Sequence, residues 1–272
     1  MKKLLVILLS VLCLSGLMLA QTEKQVGAKV LTEDLGKAFV TLQVDFTISM
    51  SFTMWEEDYN EEYSEKMQLL PVTIISKDGL AISVSGADVK SGIADEMEEM
   101  LESQGMSEYV ENFSCNVQVE KMVYVMADGR EIPAEIAYVD VQNDVSVLRP
   151  VEKAGGDFTF IDVKNSATPE LLTEILTPLR TIAELGHPLV VVPDYITGIA
   201  SEPKDYYIAG RNTRNLTDGI TCFTVDGKFI GMQVGFKANL GRDSQNFIEV
   251  DSTEPTVILP AKYIVEILGN VK

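Results

Sequence analysis

The 272-residue sequence is poor in histidine, cysteine and positive charge. It contains one histidine, His187, so any reaction that needs an imidazole base has a single candidate. Its 22 lysines and arginines face 41 aspartates and glutamates, a formal net charge of −19. Such an excess of carboxylates repels nucleic acid and anionic lipid, and we expect no nucleic-acid partner. Cationic partners or Ca²⁺ are compatible with it, although solubility alone is the simplest interpretation.

A long apolar run occurs only at the N-terminus. Two lysines precede about seventeen mostly apolar residues, a pattern that predicts a secretory signal peptide over residues 1–20. An N-terminal membrane anchor is the alternative, because the run is near the lower length limit for a span. The mature chain is expected to start near Gln21, to lie in the periplasm or outside the cell, and not to be membrane-embedded. Without Lys2 and Lys3, 20 basic residues face 41 acidic ones, a net charge of −21.

Only two cysteines, Cys115 and Cys222, follow the predicted signal peptide. In an oxidising compartment they could form a disulfide, but spacing in the sequence does not show whether their Cα atoms are close. Two separate buried thiols are the alternative, and the sequence leaves both open.

Runs of β-branched and aromatic residues separated by turn pairs dominate the chain and predict a mostly β protein. The clearest unit is the segment 216–231, in which an Asp226-Gly227 turn between apolar runs predicts a β-hairpin. Further segments are predicted as strands at 38–53, 72–88 (with a turn), 117–126, 158–163 and 247–259, and as a short helix at 168–175.

Two acidic segments interrupt this pattern. Residues 56–65 carry six carboxylates, which predicts a solvated loop; a Ca²⁺ site is the alternative, although no calcium-loop spacing is present. Residues 91–105 place Ile93, Met97 and Leu101 at helical spacing and predict an amphipathic helix. That helix either packs on its own domain or serves as a partner-binding insertion. No cofactor and no metal site is predicted.

Several of these segments resemble the trypsin-like serine peptidases, especially the bacterial HtrA-like branch. Anchored on Asp226-Gly227 and Gly231, residues 216–221 lie over the family's G-N-S-G-G-P nucleophile motif, and the motif's serine falls on Asp218. The matching pieces in chain order are residues 72–88, the D-G-R segment from 128 to 148, residues 185–189, residues 197–201, the hairpin at 216–231 and the helix that opens at Pro260.

The resemblance implies an all-β fold of two antiparallel six-stranded β-barrels, at about 36–150 and 157–257. The expected organisation is a signal peptide at 1–20, an N-terminal barrel at 21–150 with the inserted helix at about 91–105, and a C-terminal barrel with its closing helix at 151–272. The peptide-binding PDZ domain usual in the family is not expected.

The same alignment implies that the catalytic triad is degenerate. Asp144 matches the triad aspartate, but Gly86 stands at the histidine position and Asp218 at the serine position. A two-residue shift would place Asp88, which is no imidazole either, at the histidine position. His187 matches a structural loop position. A glycine cannot accept a proton, and a carboxylate at position 218 would repel the oxyanion of peptide cleavage.

Two hypotheses on function follow. The first is an exported, non-catalytic trypsin-like domain, a pseudoprotease that binds an unknown protein or peptide partner or has a structural role. The second is a hydrolase with a rebuilt site, formed by Asp144 with Asp218 or by a hydroxyl of Ser83, Ser85, Thr217 or Thr221. Two carboxylates can perform acid–base catalysis or hold a metal, but an exposed turn aspartate at position 218 is the simpler interpretation.

Overall fold

The computed structural model of the chain describes residues 25–55, 57–90, 93, 97, 101–103, 105–106, 108–152, 157–181, 185–214, 216–236 and 256–271. The predicted signal peptide at 1–20 lies outside these residues, as does part of the strand predicted at 247–259. No helix in the described ranges is long and apolar enough to cross a membrane.

Two closed antiparallel barrels form the structure, with strand orders β1-β2-β3-β6-β5-β4 and β10-β11-β12-β9-β8-β7. The strands of the first barrel are β1 Phe39–Met54, β2 Glu57–Ile74, β3 Ala81–Ser83, β4 Val110–Val125, β5 Glu131–Asp140 and β6 Val145–Pro150. Those of the second are β7 Glu174–Arg180, β8 Leu189–Ala200, β9 Tyr206–Ala209, β10 Thr221–Thr224, β11 Phe229–Gly235 and β12 Thr256–Pro260. The predicted all-β class with two six-stranded barrels is confirmed.

Helices are few in the described ranges. A short helix, α1, spans Arg211–Arg214, and the closing helix, α2, spans Ala261–Leu268 directly after the N-cap residue Pro260. Residues 89, 90, 93, 97 and 101–103 are helical, inside and just before the range predicted at 91–105. Ile93 of this insertion packs against the main core, so at least this position contacts its own domain.

The barrels share a continuous apolar core. Phe39 of β1 contacts Phe223 of β10 edge to face, with ring centroids 5.8 Å apart, and Phe223 contacts Phe229 in the same way. All three side chains are nearly or fully buried. Aromatic pairs in this geometry add about 0.5–1.5 kcal/mol beyond their area burial, so these rings join the two barrels tightly.

Beyond the first barrel, three strands continue as an extension that we call the arm, residues 46–54 of β1, 57–66 of β2 and 110–119 of β4, with Trp55 directly after β1. The pairing of β1 with β2 runs without a break from Gln43–Gln68 to Met54–Glu57, and β4 pairs along the other side of β1. The prediction of a solvated loop at 56–65 is therefore wrong for the described residues, since Glu57–Glu65 lie in β2. The carboxylates stay in water while the backbone pairs with β1.

The short helix predicted at 168–175 is also wrong. Residues 171–172 form a turn, and β7 begins at Glu174. The backbone N–H of Leu172 donates to Ile196 O, and Ile196 N–H donates to Thr173 O, so contacts with β8 replace helical hydrogen bonds here.

The lead-in to β1 docks on the second barrel. Residues 25–29 are helical and continue into a wider turn at Val30–Asp34. Gly27 lies so close to Val225, the residue after β10, that a Cβ there would be 1.9 Å from Val225 O. The guanidinium of Arg180 donates to Gly36 O (2.6 Å), Phe39 O (2.5 Å) and His187 O (2.9 Å). Its partial burial lowers the pKa of Arg180.

Candidate functional site

Three segments converge where the barrels meet: the end of β3 with Ser85 and Gly86, the turn that ends at Asp144, and the turn at 216–220. A single-turn helix at Ser85–Ala87 follows β3, and another at Val141–Asn143 precedes Asp144. The carboxylate of Asp140 accepts from Asn143 N–H (3.0 Å) and so fixes the second turn. Local capping therefore sets where Asp144 points.

Asp144 carries the densest set of contacts in this region. It adopts a left-handed conformation (φ 53°, ψ 47°) and is 9% exposed. Its Oδ1 accepts from the backbone N–H of Ser85 (3.2 Å) and from the Ser85 hydroxyl (2.5 Å). Its Oδ2 accepts from the N–H of Gly235, at the end of β11 (3.0 Å). One carboxylate thus ties together two loops of the first barrel and a strand of the second.

Gly86 directly follows the serine that binds Asp144. The glycine is exposed, and a Cβ built on it would have no atom within 4 Å. A side chain is therefore sterically allowed at this position, next in the chain to the serine that binds Asp144.

The turn at 216–220 is held by backbone hydrogen bonds to its own barrel. Leu216 N–H donates to Thr213 O (2.9 Å), and Gly219 N–H donates to Gln233 O (2.8 Å). The buried Gln233 returns a side-chain hydrogen bond from Nε2 to Leu216 O (3.2 Å). Asp218 is half-buried, so the interpretation of an exposed turn aspartate is wrong.

Gly219 brings this turn against the first barrel. Its φ is +88°, and an added Cβ would lie 3.3 Å from Pro71 O and 3.4 Å from a Val84 methyl. Since Val84 precedes Ser85, the turn that carries Asp218 lies next to the segment that contacts Asp144. Positive φ and close approach together require glycine here.

Asp194 positions the segment that leads into the turn. This residue is 7% exposed, and its carboxylate accepts from Tyr195 N–H (2.9 Å) and Thr213 N–H (2.7 Å). A Cβ on Gly210 would lie 2.0 Å from its Oδ1. The buried carboxylate therefore caps α1, and sequence reasoning did not single it out.

The remaining candidates have structural contacts. The Ser83 hydroxyl donates to Pro71 O (2.8 Å), and the Thr221 hydroxyl lies 3.0 Å from that of Thr73, while Thr217 is exposed. His187 lies in the loop between β7 and β8, with Nδ1 3.2 Å from Thr181 O. Asp88 donates its backbone N–H to Ser85 O (2.8 Å).

The two cysteines do not form a disulfide, because Cys115 lies on β4 of one barrel and Cys222 on β10 of the other. Complete burial raises the pKa of Cys222 to about 12. Within the residues that the structure describes, no three His, Cys, Asp or Glu side chains form a metal-binding group.

Comparison with known proteins links this architecture to proteases. No protein-family model and no curated protein matches the sequence. Two solved structures of the HtrA-type protease AlgW with a decapeptide match over 90% of this chain, with TM-scores of 0.54 and 0.52 and 13% and 12% identity. The chain spans 66% and 67% of their lengths. The MamO protease domain from Magnetospirillum magneticum matches at TM-score 0.49 and 10% identity, over 87% of this chain and 98% of that domain. The chain has the two-barrel, trypsin-like fold of the two AlgW structures.

Proposed function

We propose that this protein is a non-catalytic trypsin-like module, a pseudoprotease that acts by binding a protein or peptide or as a structural element. The observation that carries the proposal is the contact set of Asp144. In the triad, the aspartate orients an imidazole. Here the carboxylate accepts from the Ser85 hydroxyl and from two backbone N–H groups, while the adjacent position 86 is a glycine and offers no imidazole to orient.

The geometry also supports the alignment without a gap. Because Ser85 binds Asp144, we infer that a histidine side chain at the next residue, Gly86, would extend toward this carboxylate. Asp88, the alternative from the shifted register, is two residues further along. The chain therefore supplies no base beside Asp144 in the unshifted register.

The nucleophile turn supports the same proposal. In the serine peptidase template, the oxyanion hole consists of the backbone N–H of the nucleophile and that of the residue two positions before it. The corresponding residues are Asp218 and Leu216. The Leu216 N–H donates to Thr213 O, so this donor is engaged within its own turn. A carboxylate at 218 further disfavours an oxyanion there.

The test is reaction with a fluorophosphonate probe and with casein, using the purified full chain. We expect neither labelling nor cleavage. The matched gain-of-function variant is Gly86→His with Asp218→Ser, which restores both side chains in the frame that the open space at Gly86 allows. Labelling of the unmodified protein that disappears in Asp144→Asn would contradict the proposal and support a rebuilt hydrolase site.

We also propose that residues 1–20 are a signal peptide and that the mature protein acts in the periplasm or outside the cell. The lysine-led apolar run supports this. N-terminal sequencing of the native protein should find a start near Gln21, and an intact Met1 on a membrane-bound form would show an anchor instead.

A further inference from the structure

The tip of the arm presents an aromatic side chain that contributes little to folding. Trp55, the sole tryptophan, is 74% exposed and follows the last β1–β2 pair, Met54–Glu57. Its φ is +53°, a turn conformation that favours Gly, Asn or Asp over a bulky residue. An exposed indole at a strained turn position gains almost no burial, so its presence points to a contact made outside the chain.

Acidic and aromatic side chains alternate behind Trp55 along β2. The pairs with β1 place Glu57, Tyr59, Glu61, Tyr63 and Glu65 on one face of the arm. Tyr59 stacks on Phe52 with ring centroids 5.1 Å apart, and its hydroxyl donates to Glu57. The Tyr63 hydroxyl donates to Glu61, and Tyr63 is 45% exposed. Carboxylates beside aromatic faces attract ammonium and guanidinium groups by charge and by cation–π contact.

The outer edge of β2 is open to another strand. Its pairing with β3 covers only Thr73 and Ile74, so within the described residues no strand pairs with the outer side of 57–72. A row of backbone N–H and C=O groups at such an edge is a template for an extended peptide. Five exposed carboxylates, at Glu57, Asp58, Glu61, Glu62 and Glu65, flank this row.

Charge decides among the possible occupants. The arm and its tip, residues 46–66 and 110–119, contain seven acidic residues and one basic residue, Lys66. A second copy of this acidic chain, an anionic lipid surface and a nucleic acid are all repelled. An extended segment rich in lysine or arginine is attracted, and its alternate side chains would meet the Glu–Tyr face.

We propose that Trp55 and the outer edge of β2 from Glu57 to Glu65 bind a cationic, extended peptide segment of a partner protein as an added strand. This proposal rests on the proposed function, because it names the class of partner that the binding module would take. The residues of the arm do not include the site around Asp144, so an experiment can contradict one proposal without the other.

The experiment titrates the full chain with an octapeptide of alternating lysine and threonine and follows Trp55 emission. We expect saturable binding that weakens at least about tenfold between about 50 mM and about 500 mM salt, because the surface charges are screened. At about 50 mM salt, the triple variant Glu57→Gln/Glu61→Gln/Glu65→Gln should bind the peptide about tenfold more weakly than the unmodified protein does. The matched control, Glu152→Gln/Glu170→Gln/Glu202→Gln, removes three exposed carboxylates elsewhere and should change affinity less than about twofold.

To test whether the backbone is recognised, the same peptide is N-methylated at alternate residues. This change keeps the lysine charges and removes backbone N–H donors that an added strand would use. Binding that is at least about tenfold weaker supports strand addition. Hydrogen exchange at 57–65 should slow when the unmodified peptide binds, which checks the site without any variant.

The proposal is overturned by equal affinity of the N-methylated peptide, by equal loss in the two triple variants, or by an emission shift with phosphatidylcholine vesicles and none with peptide. Recovery of the peptide by mass spectrometry separates the two proposals. Cleavage lost in Asp144→Asn would defeat the non-catalytic function while leaving the binding result standing. If the peptide neither binds nor is cleaved, only the proposed binding site on the arm is refuted.

Discussion

Thr73 of β2 and Thr221 of β10 face each other across the barrel interface, with hydroxyl oxygens 3.0 Å apart. They are 3% and 0% exposed, so water does not compete for the hydrogen bond. A buried polar pair of this kind holds two apolar surfaces in one register, since sliding either barrel would leave both hydroxyls unsatisfied.

Replacing either threonine by valine keeps the shape and leaves the other hydroxyl unsatisfied. We expect Thr73→Val or Thr221→Val to lower the free energy of unfolding by about 1–3 kcal/mol, and the double variant to lose less than the sum. Urea unfolding of the four proteins measures the coupling. The exposed pair Thr47–Ser64, 3.2 Å apart, is the control and should show almost none. Additive losses at the buried pair would refute the interpretation.

Asp144→Asn tests whether the carboxylate is structural. An amide can accept from Ser85 with its oxygen, but its NH₂ group then faces the Gly235 N–H, donor against donor. We expect a loss of about 1–3 kcal/mol in the free energy of unfolding, by urea denaturation, and unchanged binding of any partner. In an active triad enzyme the same substitution costs about 10⁴ in rate. A stability equal to the unmodified protein would show that the three hydrogen bonds contribute nothing.

Two glycines of the site should respond oppositely to alanine. At Gly86 the added methyl meets no atom within 4 Å, so Gly86→Ala should be neutral or stabilise by about 0.4–1 kcal/mol through the unfolded state. At Gly219, φ +88° and the nearby Pro71 O make Gly219→Ala cost about 1–2 kcal/mol or more. Thermal unfolding of both variants measures the contrast, and a loss at Gly86 larger than at Gly219 would contradict the described geometry.

Cys222 should make stability fall in alkaline solution. Burial raises the pKa of its thiol from 9.0 to about 12 in the folded state. Between these pH values the unfolded thiol loses its proton while the folded one keeps it, so ionisation favours unfolding by about 1.4 kcal/mol per pH unit. Below pH 9 the thiol adds no pH dependence.

The measurement compares urea unfolding of the unmodified protein and Cys222→Ala from pH 8 to pH 11. Other groups titrate in this range in both proteins, so only the difference in slope reports the thiol. Parallel curves would show that Cys222 ionises freely in the folded state.

The barrel pair was predictable because local pattern and long-range pairing agree there. The hairpin at 216–231 is confirmed as β10 and β11, with Gly227 at φ +80° in its turn. The helix opening at Pro260 is confirmed as well. In these segments, turn residues and apolar alternation specify the same structure that tertiary packing selects.

The arm was not predictable from the sequence. Clustered carboxylates are typical of a loop, whereas here the pairing with the neighbouring strand β1 determines the conformation. Glu57–Glu65 become a strand because β1 offers a full ladder of hydrogen bonds and both faces leave the carboxylates in water. At the site, the position of Asp144 could be aligned from the sequence. The hydrogen bonds of Ser85 and Gly235 to Asp144 could not be predicted, because these residues lie 59 and 91 residues from Asp144 along the chain.

The docking of the lead-in on Arg180 has a consequence for synthesis on the ribosome. Gly36 and Phe39 precede Arg180 by 144 and 141 residues, and the turn at Val30–Asp34 packs on β8. At a translation rate of about 5–20 residues per second, this segment is made roughly 7–30 s before its binding surface. Leu31 is fully buried in the finished structure, and the turn that carries it contacts β8, which is made later. The lead-in is thus among the last parts of the protein to reach its final contacts, although it is made before the surface on which it docks.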